Sequence, residues 1–255
     1  MRYTPKYFKD TMPEWKRKKD PPLSRILYRP AGFVLASAFS NAGISANTVS
    51  YISILEGIAA CALFLPDNYI CHIIGAVLVN FWLVLDCTDG CIARSVKAQP
   101  FGEFADGISS YIIVALLGPA LGIAVYFEGG LLCAPGIPWM IFAGALASCA
   151  DTLMRLIYQK YKAVELEMAG KGIVEIGSDL RKDHEQVGSL RVRIEQDLGI
   201  GGILPLLVLL GAVFHALDLV IFYMLCYYCA SCLAVAVIYI RKAVRAARAA
   251  EHPDK

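Results

Sequence analysis

The sequence has few of the residue patterns that build soluble metal centres or disulfide frameworks. It contains four histidines, and its nine cysteines lie mainly in or beside apolar runs, without zinc-type spacing to a histidine. No apolar run follows the charges of residues 1–20, so we expect no signal peptide there. No internal repeat or low-complexity tract is visible. These absences argue against a zinc module and a disulfide scaffold.

Long apolar runs are what the sequence has instead. Hydrophobic residues make up 57% of the 255 residues, and the mean hydropathy is +0.55. A helix needs about 20 consecutive apolar residues to cross a bilayer. The runs therefore predict an all-α, polytopic membrane protein with a bundle of six transmembrane helices. The six predicted spans are residues 46–65, 70–94, 103–126, 137–158, 201–217 and 219–240.

Positive charge is distributed unevenly along the chain. Lys and Arg are frequent in the N-terminal segment, in residues 155–197 and in the C-terminal tail. The connections at residues 66–69, 127–136 and 215–218 contain neither. Because basic segments stay on the cytoplasmic side, both termini are predicted to be cytoplasmic. An even number of spans agrees with this topology.

The predicted organisation has three parts. They are a cytoplasmic or interfacial segment (residues 1–45), the six-helix membrane domain (residues 46–242) and a basic cytoplasmic tail (residues 243–255). Within the first part, residues 22–40 predict an interfacial amphipathic helix that is broken near Pro30. Residues 159–200 are polar and belong to no span, so they are either a solvated helical hairpin or a lid.

Residues 85–110 place charged groups inside otherwise apolar sequence. Asp86, Asp89 and Arg94 are spaced so that they share one face of a helix, and Asp106 follows on the next predicted helix. Charged groups at membrane depth are costly and are kept when they pair or bind a ligand. Three carboxylates that face each other need a cation between them, and oxygen ligands of this kind suit Mg²⁺, Mn²⁺ or Ca²⁺. The neighbouring arginine indicates a phosphate or diphosphate ligand.

This pattern resembles the motif of the CDP-alcohol phosphotransferases, D-x-x-D-G-x-x-A-R followed by G-x-x-x-D-x-x-x-D. The chain matches every defining position except the last, where Ser110 stands in place of the family's aspartate. The matching residues are Asp86, Asp89, Gly90, Ala93, Arg94, Gly102 and Asp106. Residues 43–50 also resemble the segment that starts the family's first span, which places Asn47 near the nucleotide pocket.

The resemblance implies transfer of a substituted phosphate from a CDP-linked donor, such as CDP-diacylglycerol, to an alcohol acceptor, with release of CMP. The product would be a phospholipid or a related phosphodiester. Two divalent ions, Mg²⁺ or Mn²⁺, would be held by Asp86, Asp89 and Asp106, and Ca²⁺ could occupy the same site. The donor would be bound by Asp86, Asp89, Gly90, Ala93, Arg94, Gly102 and Asn47.

The resemblance also implies the setting in which the protein works. We expect a homodimer in contact with membrane lipids, in the plasma membrane of a bacterial cell, with the active site open to the cytoplasm. No nucleic acid partner is expected. A cation-binding transporter is the alternative class, but the acids lie near one end of the spans and no inverted repeat is present.

Ser110 occupies the position from which the family's last aspartate takes the proton of the alcohol. A serine hydroxyl is too weak a base for that role at neutral pH. Three explanations stay open: a natural enzyme with another base, a relative that binds metal and donor without efficient turnover, or a base-removing substitution. Glu103 shares a helix face with Asp106 and Ser110, so it is the candidate substitute base. Alternatively, Glu103 only stabilises the start of its helix.

Two residues of the fourth predicted span form a second polar pair. Asp151 and Arg155 are four residues apart, as helical ion pairs are. They are interpreted either as an ion pair or as part of a site for a phosphate on the acceptor.

Overall fold

The computed structural model describes residues 2–173 and 197–251, and these residues form helices and connections without a β-strand. The all-α prediction is confirmed for these ranges. The helices there are α1 (Pro5–Thr11), α2 (Glu14–Lys19), α3 (Arg29–Asn41), α4 (Ala46–Ala62), α5 (Tyr69–Ser95), α6 (Gly102–Glu128), α7 (Trp139–Gly170), α8 (Leu204–Val213) and α9 (Leu217–Glu251).

Four of these helices, α5, α6, α7 and α9, are long and apolar enough to cross a membrane. The protein is therefore an integral membrane protein. The count of six spans is not confirmed, because α4 has 17 residues and α8 has 10. A helix of 10 residues is about 15 Å long, which is half the thickness of the hydrocarbon core. Crossing of the bilayer by α4 and α8 stays a prediction.

The polar segment predicted as a loop begins as a continuation of α7, which runs on to Gly170. Lys, Ala, Glu, Leu and Met dominate residues 159–170, and all of them favour a helix. Tyr158 and Tyr161 pack against Tyr239 of α9, with ring centroids 5.7 and 4.9 Å apart. The rest of the predicted hairpin or lid, residues 174–196, lies outside the described residues.

The helix predicted to break near Pro30 is continuous. A π-helical turn spans Ser24–Tyr28, and α3 begins at Arg29, so Pro30 lies in the first turn of α3. Proline lacks an N–H and its ring crowds the carbonyl four residues earlier. A wider π turn before the proline leaves room for the ring. The predicted break was therefore wrong.

This helix exposes large apolar side chains and buries small or polar ones. Ile26, Leu27 and Val34 are exposed. Gly32 lies against α5, where a Cβ on it would be 3.0 Å from the Cβ of Cys87. An exposed apolar face suits contact with lipid, and the assignment as an interfacial amphipathic helix stays a prediction.

The hydrophobic core runs through the middle of the bundle, around Trp82 of α5, Leu117 of α6 and Met224 of α9. A second cluster lies at the end of the bundle where α5 stops and α6 starts, which we call the motif end. It joins α1 and α3 to the first turns of α4 and the last turns of α5. Its buried members are Phe8, Ala36, Ala46, Val49, Leu85, Cys91 and Ile92.

The two helices with the most extensive contact, α6 and α7, meet backbone to backbone. A Cβ on Gly118 would overlap the carbonyl of Gly144, and a Cβ on Gly144 would overlap that of Gly118. Ser148 Oγ accepts a hydrogen bond from the Gly118 N–H at 3.0 Å. Small residues at such crossings let membrane helices approach closely.

Cysteines introduced at positions 67 and 171 are expected to label from opposite sides of the membrane. Asp67 precedes α5, and Lys171 follows α7, so three membrane-length helices separate the two positions. An impermeant thiol reagent applied to sealed vesicles in each orientation measures this, in a background whose own accessible cysteines are replaced. Labelling of both positions from the same side would contradict the crossing of α5, α6 and α7.

Candidate active site

The motif lies on two consecutive helices that are joined by a short connection. The residues of the motif are Asp86, Asp89, Gly90, Ala93 and Arg94 on α5, and Gly102 and Asp106 on α6. Phe101 has a left-handed φ of 59° directly before α6 begins, which turns the chain into the new helix. The two halves of the motif therefore meet at one end of the bundle.

Asn47, in the first turn of α4, holds this connection in place. Its backbone N–H donates to Gln99 Oε1 at 3.2 Å, and its Nδ2 donates to the Pro100 carbonyl at 2.9 Å. A Cβ on Gly102 would lie 3.4 Å from Asn47 Oδ1. The structure thus brings Asn47 to the connection within the motif, and its contact with a nucleotide donor stays a prediction.

The three carboxylates differ in their exposure but act on one another. Asp89 is buried, Asp86 is half-buried and Asp106 is exposed. The carboxyl groups of Asp86 and Asp106 interact with each other, and both act electrostatically on Asp89. Within the described ranges, no Lys or Arg forms an ion pair with any of them. Three carboxyl groups therefore lie near one another, and among the described residues no basic side chain is in contact with them.

The buried carboxylate of Asp89 is oriented by α4. Ser50 Oγ lies 2.6 Å from Asp89 Oδ2 and 3.3 Å from the Ala46 carbonyl, so its proton goes to the carboxylate. A hydroxyl on an ionised oxygen makes a short, strong hydrogen bond. This bond fixes the orientation of the Asp89 carboxyl group.

A chain of buried hydrogen bonds ties the three helices of the site together. Ser53 Oγ donates to the Ser50 carbonyl at 2.7 Å, because a carbonyl can only accept. In the 2.6 Å contact between Ser53 and Ser109 the donor is therefore Ser109. Ser109 Oγ accepts in turn from Trp82 Nε1 at 3.0 Å. These hydrogen bonds run from Trp82 of α5 through Ser109 of α6 to Ser53 of α4. They end at the carbonyl of Ser50, the residue whose hydroxyl binds Asp89.

Removing the Ser50 hydroxyl is expected to weaken divalent metal binding by about 10- to 100-fold, as losses of such supporting hydrogen bonds typically do. The variant is Ser50→Ala, and isothermal titration of the purified protein with Mg²⁺ in the presence of CDP measures the effect. Ser40→Ala is the matched control, since Ser40 Oγ is buried but makes no hydrogen bond. Equal affinities in both variants would show that Ser50 does not support Asp89.

The guanidinium of Arg94 folds back over Gly90, one turn earlier on α5. A Cβ on Gly90 would lie 2.6 Å from Arg94 Nη2. The missing side chain at Gly90 therefore gives Arg94 room beside the carboxylates. Ala93 packs against the motif-end cluster, which requires a small residue there.

Ser110 is turned toward its own helix. Its hydroxyl contacts the Gly107 carbonyl at 3.1 Å and the Asp106 carbonyl at 3.4 Å, both of which only accept. A serine in a helix commonly bonds back in this way. The Ser110 side chain thus brings no negative charge to the site, and its hydroxyl oxygen is a much weaker base than a carboxylate.

Glu103 lies at the start of α6 and is ion-paired across to α7. Lys162 Nζ is 2.8 Å from Glu103 Oε1. Glu103 also lines a cavity of about 650 Å³, together with Gly102, Gly107, Tyr111 and Gln159, among others. Gln159 Nε2 donates to Tyr111 Oη at 3.1 Å and so bridges α7 to α6 at this cavity.

The predicted pair on α7 is an ion pair. Arg155 Nε donates to Asp151 Oδ1 at 2.8 Å, and Asp151 is buried. The Arg155 guanidinium also lies 5.9 Å from the centre of the Tyr111 ring. A role for Arg155 in binding an acceptor stays open, because only its Nε is used by Asp151.

The donor chemistry of the three carboxylates fits a hard divalent cation, because such cations prefer oxygen ligands and no Lys or Arg of the described residues forms an ion pair with these groups. Their positions are not those of a closed metal site. Among the residues that the structure describes, no three His, Cys, Asp or Glu side chains are grouped closely enough to hold an ion. Asp86 and Asp106 face each other, while Asp89 points to Ser50. The two-ion prediction therefore stays a prediction.

Two sets of residues near the site were not predicted from the sequence. One is the serine chain of Ser50, Ser53 and Ser109, whose signal was a pair of serines three residues apart in an apolar helix. The other is an ionic cluster from the N-terminal segment, formed by Lys16, Asp20 and Arg29. Its members are separated in sequence from the motif, and no local pattern joins them to it.

The fold and the site together define a membrane-embedded helical bundle with a carboxylate and arginine site at one end. A family model described as CDP-alcohol phosphatidyltransferase matches residues 43–178, which is more than half of the chain. The chain belongs to the CDP-alcohol phosphatidyltransferase family. The matched range begins just before α4 and contains the whole motif. No curated protein matches the chain.

Proposed function

We propose that the protein transfers a substituted phosphate from a CDP-linked donor to an alcohol acceptor and releases CMP. Membership of the family supports a phosphate-group transferase that acts in a membrane. One observation carries the proposal beyond that: the carboxyl groups of Asp86 and Asp106 interact at the motif end, with the buried Asp89 acting electrostatically with them. Arg94 lies beside them, and no ion pair to these carboxyl groups is formed within the described ranges. Such a site suits a ligand that brings both metal ions and phosphate oxygens.

The reaction exchanges one phosphorus–oxygen bond for another. The bond from the transferred phosphorus to the CMP oxygen breaks, and CMP leaves with the electron pair. The alcohol oxygen forms the new bond to phosphorus and loses its proton. Arg94, folded over Gly90, is placed to bind phosphate oxygens with two N–H groups. Asn47 fixes the connection so that the start of α6 stays against α4.

Divalent ions, when bound by Asp86, Asp89 and Asp106, would polarise the diphosphate and neutralise the charge that develops on CMP. The protein's own contribution is to hold these carboxylates in register. The hydrogen bond from Ser50 sets the orientation of Asp89, and the serine chain sets the distance between the helices.

The site is poorly equipped to remove the proton of the alcohol, because neither Ser110 nor Glu103 is a strong base. Ser110 is bonded back to its helix, and the ion pair with Lys162 stabilises the charged form of Glu103, which makes it a poorer base. Both observations support a second candidate function: a family member that binds metal and donor with impaired turnover. Glu103 still lines the cavity, so it is the available base if turnover is efficient.

The cavity beside Glu103 is the place that we propose for the acceptor. It adjoins Gly102 and opens between the first turns of α6 and Gln159 of α7. Phenylalanines 101 and 104 on its rim are exposed, while Tyr111 and Gln159 supply polar groups. That mixture suits an alcohol with both an apolar and a polar part. The homodimer, and a site that opens to the cytoplasm of a bacterial cell, belong to the same proposal.

Release of CMP from CDP-diacylglycerol tests the function. The purified protein in detergent, with Mg²⁺ or Mn²⁺, would be offered a panel of small and lipid alcohols. Acceptor-dependent release of CMP supports the transferase. Tight binding of CDP-diacylglycerol with no release for any acceptor supports the impaired homologue. If the protein neither binds CDP-diacylglycerol nor releases CMP, both candidate functions are overturned. Ion flux in liposomes without CDP binding would instead favour the transporter.

A further inference from the structure

The N-terminal segment is attached to the end of α5 that carries the motif. Phe8 of α1 is buried in the motif-end cluster. Tyr7 Oη donates to the Ser95 carbonyl at 2.8 Å, and Thr11 Oγ1 donates to Ser95 Oγ at 2.9 Å. Ser95 follows Arg94 directly, so α1 lies against the last turn of the motif. The segment is therefore part of the site's surroundings.

A buried ionic clamp fixes the segment at a second point. Asp20 is buried and accepts hydrogen bonds from Arg29 Nε at 2.7 Å and Nη2 at 3.0 Å. Arg29 Nη1 donates to the Cys87 carbonyl at 3.1 Å. Burial raises the pKa of Asp20, but Arg29 and Lys16 lower it further, so its pKa lies below the ordinary value. Asp20 is thus ionised at neutral pH, next to the turn of α5 that holds Asp86.

Lys16 is the second cation on Asp20. Its Nζ lies 2.9 Å from Asp20 Oδ1, and its side chain is about one quarter exposed, at 24%. Two cations share one carboxylate, so the cluster keeps a net positive charge. Lys16 is also near enough to Asp106 to act on it electrostatically. Its ammonium is therefore connected through Asp20 and Arg29 to the turn of α5 that follows Asp86, and part of its side chain is open to solvent.

Two other basic residues of α2 make their contacts away from the motif. Arg17 donates to the Lys9 and Asp10 carbonyls of α1. Lys18 pairs with Glu14 and is well exposed to solvent. Lys16 therefore differs from Arg17 and Lys18 in its contact with Asp20, which holds it near the motif end.

We infer that Lys16 binds the diphosphate of the CDP-linked donor and so completes the site from the N-terminal segment. The inference rests on the proposed function. With donor present, the ammonium would lie between phosphate oxygens and Asp20, opposite Arg94. An ammonium suits this position because it is a compact point charge with three donors, one of which Asp20 already uses.

The test measures binding of CDP to the full chain by titration in saturating Mg²⁺. Lys16→Gln is expected to weaken CDP binding at least about tenfold, as the loss of a hydrogen bond to a charged group does. Lys16→Arg should retain most of the affinity. Lys18→Gln is the matched control, and it should bind as the unaltered protein does. The thermal midpoints of all variants are compared, so that a fold defect is recognised.

Three outcomes decide the matter. A loss for Lys16→Gln with rescue by arginine, at an unchanged thermal midpoint, supports the inference. Unchanged CDP affinity in Lys16→Gln, or an equal loss in Lys18→Gln, overturns it and leaves the proposed function standing. If the unaltered protein binds no CDP, the proposed function is overturned, and so is the inference about Lys16 that rests on it. A loss of affinity that only accompanies a lowered thermal midpoint assigns Lys16 to folding, and also overturns the inference.

Discussion

Replacing Asp89 with asparagine is expected to abolish metal-dependent binding of CDP and the release of CMP. The side chain keeps its shape and its hydrogen bond to Ser50, but it loses the charge that a divalent ion requires. Loss of a supporting hydrogen bond alone typically costs 10–100-fold, so loss of the carboxylate itself should exceed about 100-fold. Titration with Mg²⁺ and CDP measures binding, and CMP release from CDP-diacylglycerol measures turnover.

The matched control for this change is Asp67→Asn. Asp67 is an exposed aspartate in the connection before α5, at the far end of the helix from the motif. The Asp67→Asn variant should bind metal and CDP and release CMP as the unaltered protein does. Metal-dependent CDP binding that persists in the Asp89 variant would show that the site lies elsewhere.

Ser110→Asp is expected to raise the rate of acceptor-dependent CMP release. The change supplies the base that the family's motif has at this position, and positioned general bases contribute typically ~10²- to 10⁴-fold. A new carboxylate beside Asp106 should also tighten binding of a second divalent ion. Steady-state rates with saturating donor and acceptor measure the first effect, and Mg²⁺ titration measures the second.

Ser110→Asn is the matched control, because it has the size of aspartate without its basicity. A natural enzyme that uses Glu103 as its base would respond differently. There Ser110→Asp would change the rate little, while Glu103→Gln would stop turnover. Full activity in both variants would contradict both accounts of the proton acceptor.

The placement of Asp86, Asp89 and Arg94 on one helix could be predicted because its geometry is local. Asp86 and Asp89 lie one turn apart on one helix, so their shared face follows from helical periodicity alone. The return of the chain between Val96 and Phe101 then had to bring Asp106 beside them. Long apolar runs identified the helices for the same reason, since composition alone decides whether a segment tolerates lipid.

What the sequence did not predict depends on contacts between distant segments. Arg29, paired with Asp20, donates to the Cys87 carbonyl, and nothing in the sequence around Cys87 indicates that this carbonyl accepts a hydrogen bond from a distant arginine. The end of α7 was also missed, because polar residues 159–170 rule out a span but do not rule out a helix. Packing of Tyr161 on Tyr239 of α9 explains the continuation.

Pro30 shows how a sound local rule can fail. Proline normally ends or kinks a helix, and the prediction followed that rule. The π-helical turn at Ser24–Tyr28 removes the clash before it arises, and Arg29 then serves the clamp from the first position of α3. The irregular turn and the ionic contact thus occur at adjacent residues.

The backbone contact between Gly118 and Gly144 has a consequence for the shape of the cavity that we propose for the acceptor. Two crossed rods separate steadily on either side of the point where they touch, and Tyr111 lies seven residues from that point, about 10 Å along α6. The opening bordered by Tyr111 and Gln159 lies between α6 and α7 on one side of their point of contact. The glycine pair therefore contributes to its width, together with the Gln159–Tyr111 hydrogen bond and the Lys162–Glu103 ion pair that connect the same two helices. If the cavity takes the acceptor as proposed, a change in the glycine pair would alter the size of acceptor that fits without changing a residue of the cavity wall.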